Sequence, residues 1–317
     1  MYRHVEAALK LSLKDVNLFV PGAAKSGTST LHNLLNLHPK INMSSNKEPH
    51  IWSMANREEM DADWSVSRDY FQKEKGIEYY GESSTGYFYF KNFKINLKKY
   101  GNPNAKFIFI LRNPIDRTYS HYTYLKSLGS EDESLRKAIL ENHKHEPSTD
   151  DVLPELIIKN YYQYSLYGKW MERFYEVFDS KNVKIILFEN LKTKPLDTLN
   201  ECFNFLGLTP LAKIPEIKSN KTVQLRFPKT YKKIRIMVFN KNKTSDVLKH
   251  FLPKDFRRKY KKKATEIFLN LNKTNKTLPK LSQKDRTWLY DLFSEDVALL
   301  KKVTKMEFKL WKDFNKE

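Results

Sequence analysis

Cysteine is nearly missing from this chain of 317 residues. Cys202 stands alone, so no intrachain disulfide can form, and nothing demands an oxidising compartment. No run of about 18 or more apolar residues occurs, so no transmembrane helix is encoded. The opening MYRHVEAALKLSLKD lacks an apolar core and a small-residue cleavage site, so it does not read as a signal peptide. The initiating Met argues against an anchor lost upstream, and the expectation is a cytoplasmic protein. Metal-binding patterns are equally scarce. The histidines are scattered, no H-E-x-x-H occurs, and His143 and His145 lie in a polar loop, so no metal is expected.

Acidic residues are few beside basic ones: 37 against 57, a net charge of +20. Residues 211–290 alone hold 23 Lys and Arg against 5 Asp and Glu, nearly the whole excess. Such a tract attracts an anion: a nucleotide, a polyanionic glycan, a nucleic acid or an anionic membrane. It also fits a solvated lysine-rich surface. Charge alone names no function.

What is present is enough for a packed core: 40% apolar residues, with 18 Tyr and 20 Phe. Val16–Val20 is a short apolar run ending at Pro21-Gly22, as a buried strand entering a turn does. Thr28–Leu37 places Leu31, Leu34, Leu35 and Leu37 at helical spacing, and Pro39 closes it. Lys106–Leu111 (KFIFIL) gives the strongest strand signal, followed by a helix from Pro114 to about Lys126. Val183–Phe188 reads as a further strand, with helices over Glu155–Val177 and Pro195–Leu206. Apolar strands alternating with helices indicate an α/β fold, a parallel sheet covered on both faces. Ser130–Asp151 is polar and reads as a long loop or mobile lid. After Leu208 strand signals nearly vanish, leaving basic helices interrupted by Pro228, Pro253 and Pro279. The expected layout is a core over about residues 15–210 with a basic helical extension over about 211–317 packed on it.

The first strand runs into Gly22-Ala23-Ala24-Lys25-Ser26-Gly27-Thr28-Ser29. A triphosphate-binding loop, G-x-x-x-x-G-K-[ST], has the same glycines and final hydroxyl. Here Thr28 takes the lysine position, and a lysine appears three residues earlier as Lys25. In a triphosphate loop that lysine reaches the β- and γ-phosphates. A nucleotide with one 5′-phosphate needs only backbone N–H donors and the positive end of a helix. The bland alternative is an ordinary glycine-containing strand-to-helix turn. A second pattern, Arg112-Asn113-Pro114-Ile115-Asp116-Arg117-Thr118-Tyr119-Ser120-His121-Tyr122, follows KFIFIL, where open parallel sheets bind ligands. An Arg at the strand end and a Ser on the next helix can converge on one phosphate. The alternative is an arginine that caps the helix or pairs with Asp116.

These two stretches, in this order, resemble PAPS-dependent sulfotransferases (PAPS, 3′-phosphoadenosine 5′-phosphosulfate), most closely the carbohydrate-modifying and bacterial branches. KSGTSTL with His38-Pro39 is similar to the family's 5′-phosphosulfate loop, and R-[ND]-P-x-x-R-x-x-S-x-Y is its 3′-phosphate motif. The resemblance implies that Lys25 contacts the oxygen bridging phosphate and sulfate. It implies that Ala24, Ser26, Gly27, Thr28, Ser29 and Thr30 surround the 5′-phosphate, and that Arg112 and Ser120 hold the 3′-phosphate. Tyr167 and Trp170, Glu189-Asn190-Leu191, Pro195, Phe205-Leu206-Gly207-Leu208 and Trp311 continue the likeness as fold-maintaining positions. It covers about residues 15–314 and implies a P-loop-like sulfotransferase fold, PAPS as co-substrate and 3′,5′-ADP as product. A glycan or small-molecule acceptor is expected, with no nucleic acid beyond the nucleotide. No oligomeric state is implied.

Lys47-Glu48-Pro49-His50 is similar to a K-E-x-H segment in heparan-type members, whose Glu is the general base. An attacking hydroxyl must lose its proton, so a base is needed. Glu48 is favoured, with a pKa that burial would lift; His50 competes, because imidazole titrates near working pH. Gly81-Glu82-Ser83-Ser84-Thr85-Gly86-Tyr87 resembles the family's G-E-x-S-P-x-Y with Thr85 in place of proline. Glu82 and Tyr87 either line the acceptor pocket or brace it. A late basic loop, Ser219–Arg226, offers Lys221 and Arg226 to the cofactor but lacks the family's glycine. Two other classes compete. A P-loop kinase or NTPase requires lysine at position 28 and a carboxylate at a strand end. A noncatalytic polyanion binder would use the basic tract and leave both motifs without a role.

Overall fold

The computed structural model describes residues 11–71, 75–141, 146–147, 159–216, 224–231, 233, 271–274 and 279–315. Five strands form one sheet in the order β2-β3-β1-β4-β5: β1 (Val16–Phe19), β2 (Ile41–Met43), β3 (Tyr79–Glu82), β4 (Lys106–Leu111) and β5 (Val183–Leu187). Every neighbouring pair is parallel, with Phe19 beside Phe107 and Phe109 beside Ile185.

Side-chain alternation sends the two faces of each strand into different cores. Phe19, Phe107, Phe109, Leu111 and Leu187 point into an aromatic core with Phe93 of α3 (Lys91–Tyr100) and Trp170 and Phe174 of α6 (Tyr167–Tyr175). Leu18, Ile108, Ile110 and Ile186 point the other way, against Leu31, Leu34 and Leu35 of α1 (Thr28–Leu35) and Phe203 of α8 (Pro195–Phe205). Both faces being covered is why KFIFIL carries no polar alternation; Phe107–Leu111 is buried throughout.

The chain leaves β1 towards one edge of the sheet, through α1 to β2. It leaves β4 towards the other edge, through α4 (Pro114–Ser127) and α6 to β5. The carboxyl ends of these adjacent strands therefore open a crevice, where open α/β sheets bind ligands. Gly22 and Ala23 exchange hydrogen bonds with Ile110 (2.9 and 2.8 Å), which pins the loop after β1 to β4.

Three expectations are corrected. The polar stretch after Ser130 holds a helix, α5 (Leu135–Glu141), anchored by buried Ala138 and Ile139; residues 142–145 and 148–158 lie outside the described residues. Of the helix expected over Glu155–Val177, residues 155–158 lie outside the described residues; 159–166 hold only a 3₁₀ turn over Gln163–Ser165, and the described α-helix spans Tyr167–Tyr175. Past Leu208 a two-stranded antiparallel sheet, β6 (Gln224–Leu225) with β7 (Lys273–Thr274), escaped the sequence reading because two-residue strands carry no periodicity. Of the basic extension, residues 234–270 lie outside the described residues. Its last helix, α9 (Gln283–Thr304), packs on α6 through Leu289, Phe293, Val297 and Leu300. Among the described residues, no helix is long and apolar enough to cross a membrane.

Candidate active site

Gly27 caps α1 with φ +92°, and a Cβ placed there would lie 2.9 Å from the Phe188 ring. Glycine is required on both counts. The first-turn amides of α1, from Thr28, Ser29 and Thr30, have no intrahelical acceptor and converge at the positive end of the helix. Ser26 differs: its amide donates to Ala23 O (3.2 Å), and its fully buried hydroxyl faces Tyr167. The Ala24 amide faces the Tyr89 hydroxyl.

Lys25 is held in the left-handed region, φ +68°, with its amine 3.7 Å above the ring of Tyr124. Tyr124 and Ser120 lie one turn apart on α4, so that contact brings the loop against the helix face bearing Ser120. Arg112, at the end of β4, donates from Nη1 to Lys25 O (3.4 Å) and stacks 4.9 Å from Phe188. The loop and the second motif therefore meet across the crevice. Burial, with Arg117, Arg112 and Lys47 nearby, draws the Lys25 amine from 10.5 down to about 8. Arg117 is fully buried. It bonds His121 Nδ1 and the Tyr161 carbonyl (3.4 Å), lies among Tyr89, Tyr164 and Tyr167, and among the described residues forms no ion pair with a carboxylate.

On the opposite wall, Glu48 is one-third exposed and accepts from Lys47 Nζ (2.7 Å), Thr85 N (2.7 Å) and Thr85 Oγ1 (3.1 Å). His50 Nε2 lies 3.3 Å from its second oxygen. Burial alone would raise the Glu48 pKa, as the sequence reading expected. Lys47 and His50 outweigh it and bring the carboxyl down to about 2, which corrects the sign. His50 Nδ1 is buried without a hydrogen-bond partner. Both residues adopt left-handed backbone, φ +58° and +54°. Among the described residues only four non-glycines do so, and Lys25, Glu48 and His50 are three of them; the fourth, Lys305, caps α9. Strain of this kind gathers where a site over-determines the backbone.

Behind this wall Glu82 and Tyr87 are fully buried and hydrogen bonded (2.7 Å), with Ser84 Oγ 3.1 Å from Glu82 and Trp52 N donating to Tyr87. They brace the site. Burial lifts the Glu82 carboxyl to about 8. His32 of α1 bridges Ser83 Oγ (2.8 Å) and Ser44 O (3.1 Å); burial and Lys47 lower its pKa to about 4 and keep it neutral.

Arg226 is exposed beside β6, its amide bonded to Asn272 O (2.8 Å). Lys221 lies outside the described residues. Lys47, Arg117 and Tyr124 were given no role from sequence, yet Lys47 binds Glu48, Tyr124 meets Lys25, and the charge of Arg117 acts on Lys25. Lys47 and Arg117 carried a signal, as charged residues inside the motifs; Tyr124 carried none.

A family model described as "Sulfotransferase domain" matches residues 15–309. Carbohydrate sulfotransferase 15 from Homo sapiens is 24% identical over 269 residues, covering 65% of this chain and 46% of that protein. Heparan sulfate glucosamine 3-O-sulfotransferase 5 from Mus musculus is 27% identical over 193 residues, covering 60% and 52%. The chain thus spans about half the length of these curated relatives. A crystal structure of a sulfotransferase from Alicyclobacillus acidocaldarius shares the fold with a TM-score of 0.63 at 23% identity, covering 94% of this chain and 98% of that one.

Proposed function

The chain belongs to the sulfotransferase domain family, and on that premise we propose that it transfers a sulfuryl group from PAPS to a hydroxyl or amine of a carbohydrate acceptor, releasing 3′,5′-ADP. The observation that carries the reading is the gathering of Lys25, Lys47, Arg112 and Arg117 around one crevice beside the free amides of α1. Among the described residues these four cations form an ion pair with a single carboxylate, Glu48 on Lys47, which suits a multiply charged anion whose ends the two motifs assign. A kinase reading fails on the same residues, since Thr28 occupies the lysine position and β4 is followed by Arg112 rather than a carboxylate.

The residues act in sequence. The α1 amides bind the 5′-phosphate, and Arg112 with Ser120 binds the 3′-phosphate. The acceptor oxygen bonds to sulfur as the bond from sulfur to the bridging oxygen breaks. Lys25 stabilises the negative charge that grows on that oxygen, an interaction stronger in the transition state than in bound PAPS. Glu48 takes the acceptor's proton. A carboxylate this acidic does so only once the oxygen is bonding to sulfur and its own acidity has risen. The carbohydrate class of the acceptor is supported by the Lys47–His50 segment, the basic tract and the names of the relatives.

Titration with 3′,5′-ADP and AMP tests the cofactor assignment. Wild type should prefer 3′,5′-ADP, and Arg112→Ala should lose about one to two decades of that preference, as expected for a charged bidentate contact of about 1.5–3 kcal/mol. Equal affinity for both nucleotides in wild type overturns it. A glycan and small-alcohol panel with labelled PAPS decides the acceptor class; transfer to phenols or alcohols alone rejects the carbohydrate.

A further inference from the structure

Arg112 stands on a turn whose other residues are bound to the far end of the chain. Asn113 caps α4, with Oδ1 accepting from Ile115 N (3.0 Å). Its amide donates to Glu189 Oε1 (3.0 Å), and its Nδ2 donates to Asp313 Oδ2 (2.7 Å), two hundred residues away. Arg286, in the first turn of α9, grips both oxygens of Asp313 (2.7 and 2.7 Å) and reaches Asp116 Oδ1 (2.8 Å), three residues past Asn113. Trp311, fully buried, donates from Nε1 to Glu189 Oε2 (3.3 Å). Glu189 follows Phe188, the ring on which Arg112 stacks and against which Gly27 is pressed.

These bonds close a circuit: Asn113 to Asp313, Asp313 to Arg286, Arg286 to Asp116, and Asn113 again through Glu189 to Trp311. Both N–H groups of Asn113, main-chain and side-chain, are committed to it, while its Oδ1 and carbonyl oxygen hold the start of α4 through Ile115 N and Arg117 N. Burial opposes ionisation of Asp313, and Arg286 and Asn113 outweigh it, so the carboxylate stays charged and keeps both partners. Bidentate arginine–carboxylate geometry fixes direction as well as distance. Simple attachment of α9 to the core needs none of this, because Leu289, Phe293, Val297 and Leu300 already supply an apolar seam.

We propose that the C-terminal segment, through Arg286, Trp311 and Asp313, is a positioning clamp that aims Arg112 at the 3′-phosphate and so sets the nucleotide selectivity of the site. The inference rests on Arg112 binding that phosphate. Its test must separate the two.

Dissociation constants for 3′,5′-ADP and AMP are measured on the full chain for wild type, Asp313→Asn, Arg112→Ala and the double variant, with KM for PAPS, kcat and thermal unfolding alongside. Asp313→Asn should weaken 3′,5′-ADP by about threefold to tenfold, leave AMP within about twofold, and raise KM for PAPS with kcat little changed, on the scale of one charge-assisted hydrogen bond. In the Arg112→Ala background the same substitution should cost nothing further. Equal loss for both nucleotides, or an undiminished penalty in the double variant, overturns the clamp and leaves a structural brace. A wild type indifferent to the 3′-phosphate overturns the Arg112 assignment itself, and the clamp with it. Should Asp313→Asn misfold, Arg286→Gln, at a residue more exposed than Asp313, breaks both ion pairs and is read by the same criteria.

Discussion

Replacing Lys25 with methionine should make the protein more stable and far less active, and the structure sets both magnitudes. An amine drawn from 10.5 down to about 8 carries about 3 kcal/mol of unfavourable free energy as a cation. The face of Tyr124, 3.7 Å away, returns about 0.5–2 kcal/mol. Methionine keeps most of the shape and removes the charge, so the nucleotide-free protein should gain on the order of 1–2 kcal/mol at neutral pH. The sign can be checked against pH. Below pH about 8 the lysine is protonated in both folded and unfolded chains, and the full penalty is present. Between about 8 and 10.5 the folded state releases its proton first, the unfolded state binds more protons, and wild-type stability rises with pH. The advantage of the variant should therefore shrink across that window. Turnover should fall by about 10²–10³, the usual loss when a group facing developing charge is removed. Denaturant unfolding without nucleotide, at neutral and alkaline pH, and the transfer rate at saturating PAPS read these effects. A variant no more stable than wild type, a gap that does not narrow with pH, or near-normal turnover would refute the reasoning.

Glu48→Gln should retain nucleotide affinity while transfer drops by about 10²–10⁴, and His50→Ala should do less; near-normal transfer in the former with a dead His50→Ala gives the proton to the histidine. Because Glu48 is held down to about 2, its protonation should not appear as an acid limb in kcat/KM across the mildly acidic range, and a limb there would point to another group. Gly27→Ala forces a side chain into positive φ and against Phe188; thermal unfolding and 3′,5′-ADP titration should show a destabilisation of about 1–2 kcal/mol together with weakened binding.

The sheet was readable wherever one strand announced itself without help from neighbours. KFIFIL, buried on both faces, could hardly be anything else, and its bounds agree with β4. The loop and the arginine turn were readable because each motif is local and the parallel sheet dictates which end it occupies. What escaped depends on distant partners. Nothing in the Glu48 segment shows that the Thr85 amide will arrive to bind its carboxylate, and adjacent Lys47 was weighed too lightly against burial. The left-handed backbone at Glu48 and His50 left no mark in composition, since neither is a glycine. Arg286 and Asp313 look like ordinary surface charges in a charged tail until α9 lays them beside Asn113. The short helix at Leu135 was hidden by the polar residues around its two buried anchors.

The left-handed backbone at Lys25, Glu48 and His50 also bears on how this sequence would drift. Each such residue forgoes about 1–2 kcal/mol that glycine would recover. Any laboratory selection that rewards heat resistance alone will be drawn first to Lys25, where the strain adds to the cost of a buried cation, whereas Glu48 and His50 are held by their ion pair. Among the described residues only Lys305 offers a comparable gain, and it lies at a helix end with no tie to the crevice. A thermostability library screened without substrate should therefore enrich glycine or asparagine at position 25, and not at position 48, where Lys47 and the Thr85 amide bind the carboxylate; the clones that survive heating best should be the ones that no longer transfer the sulfuryl group.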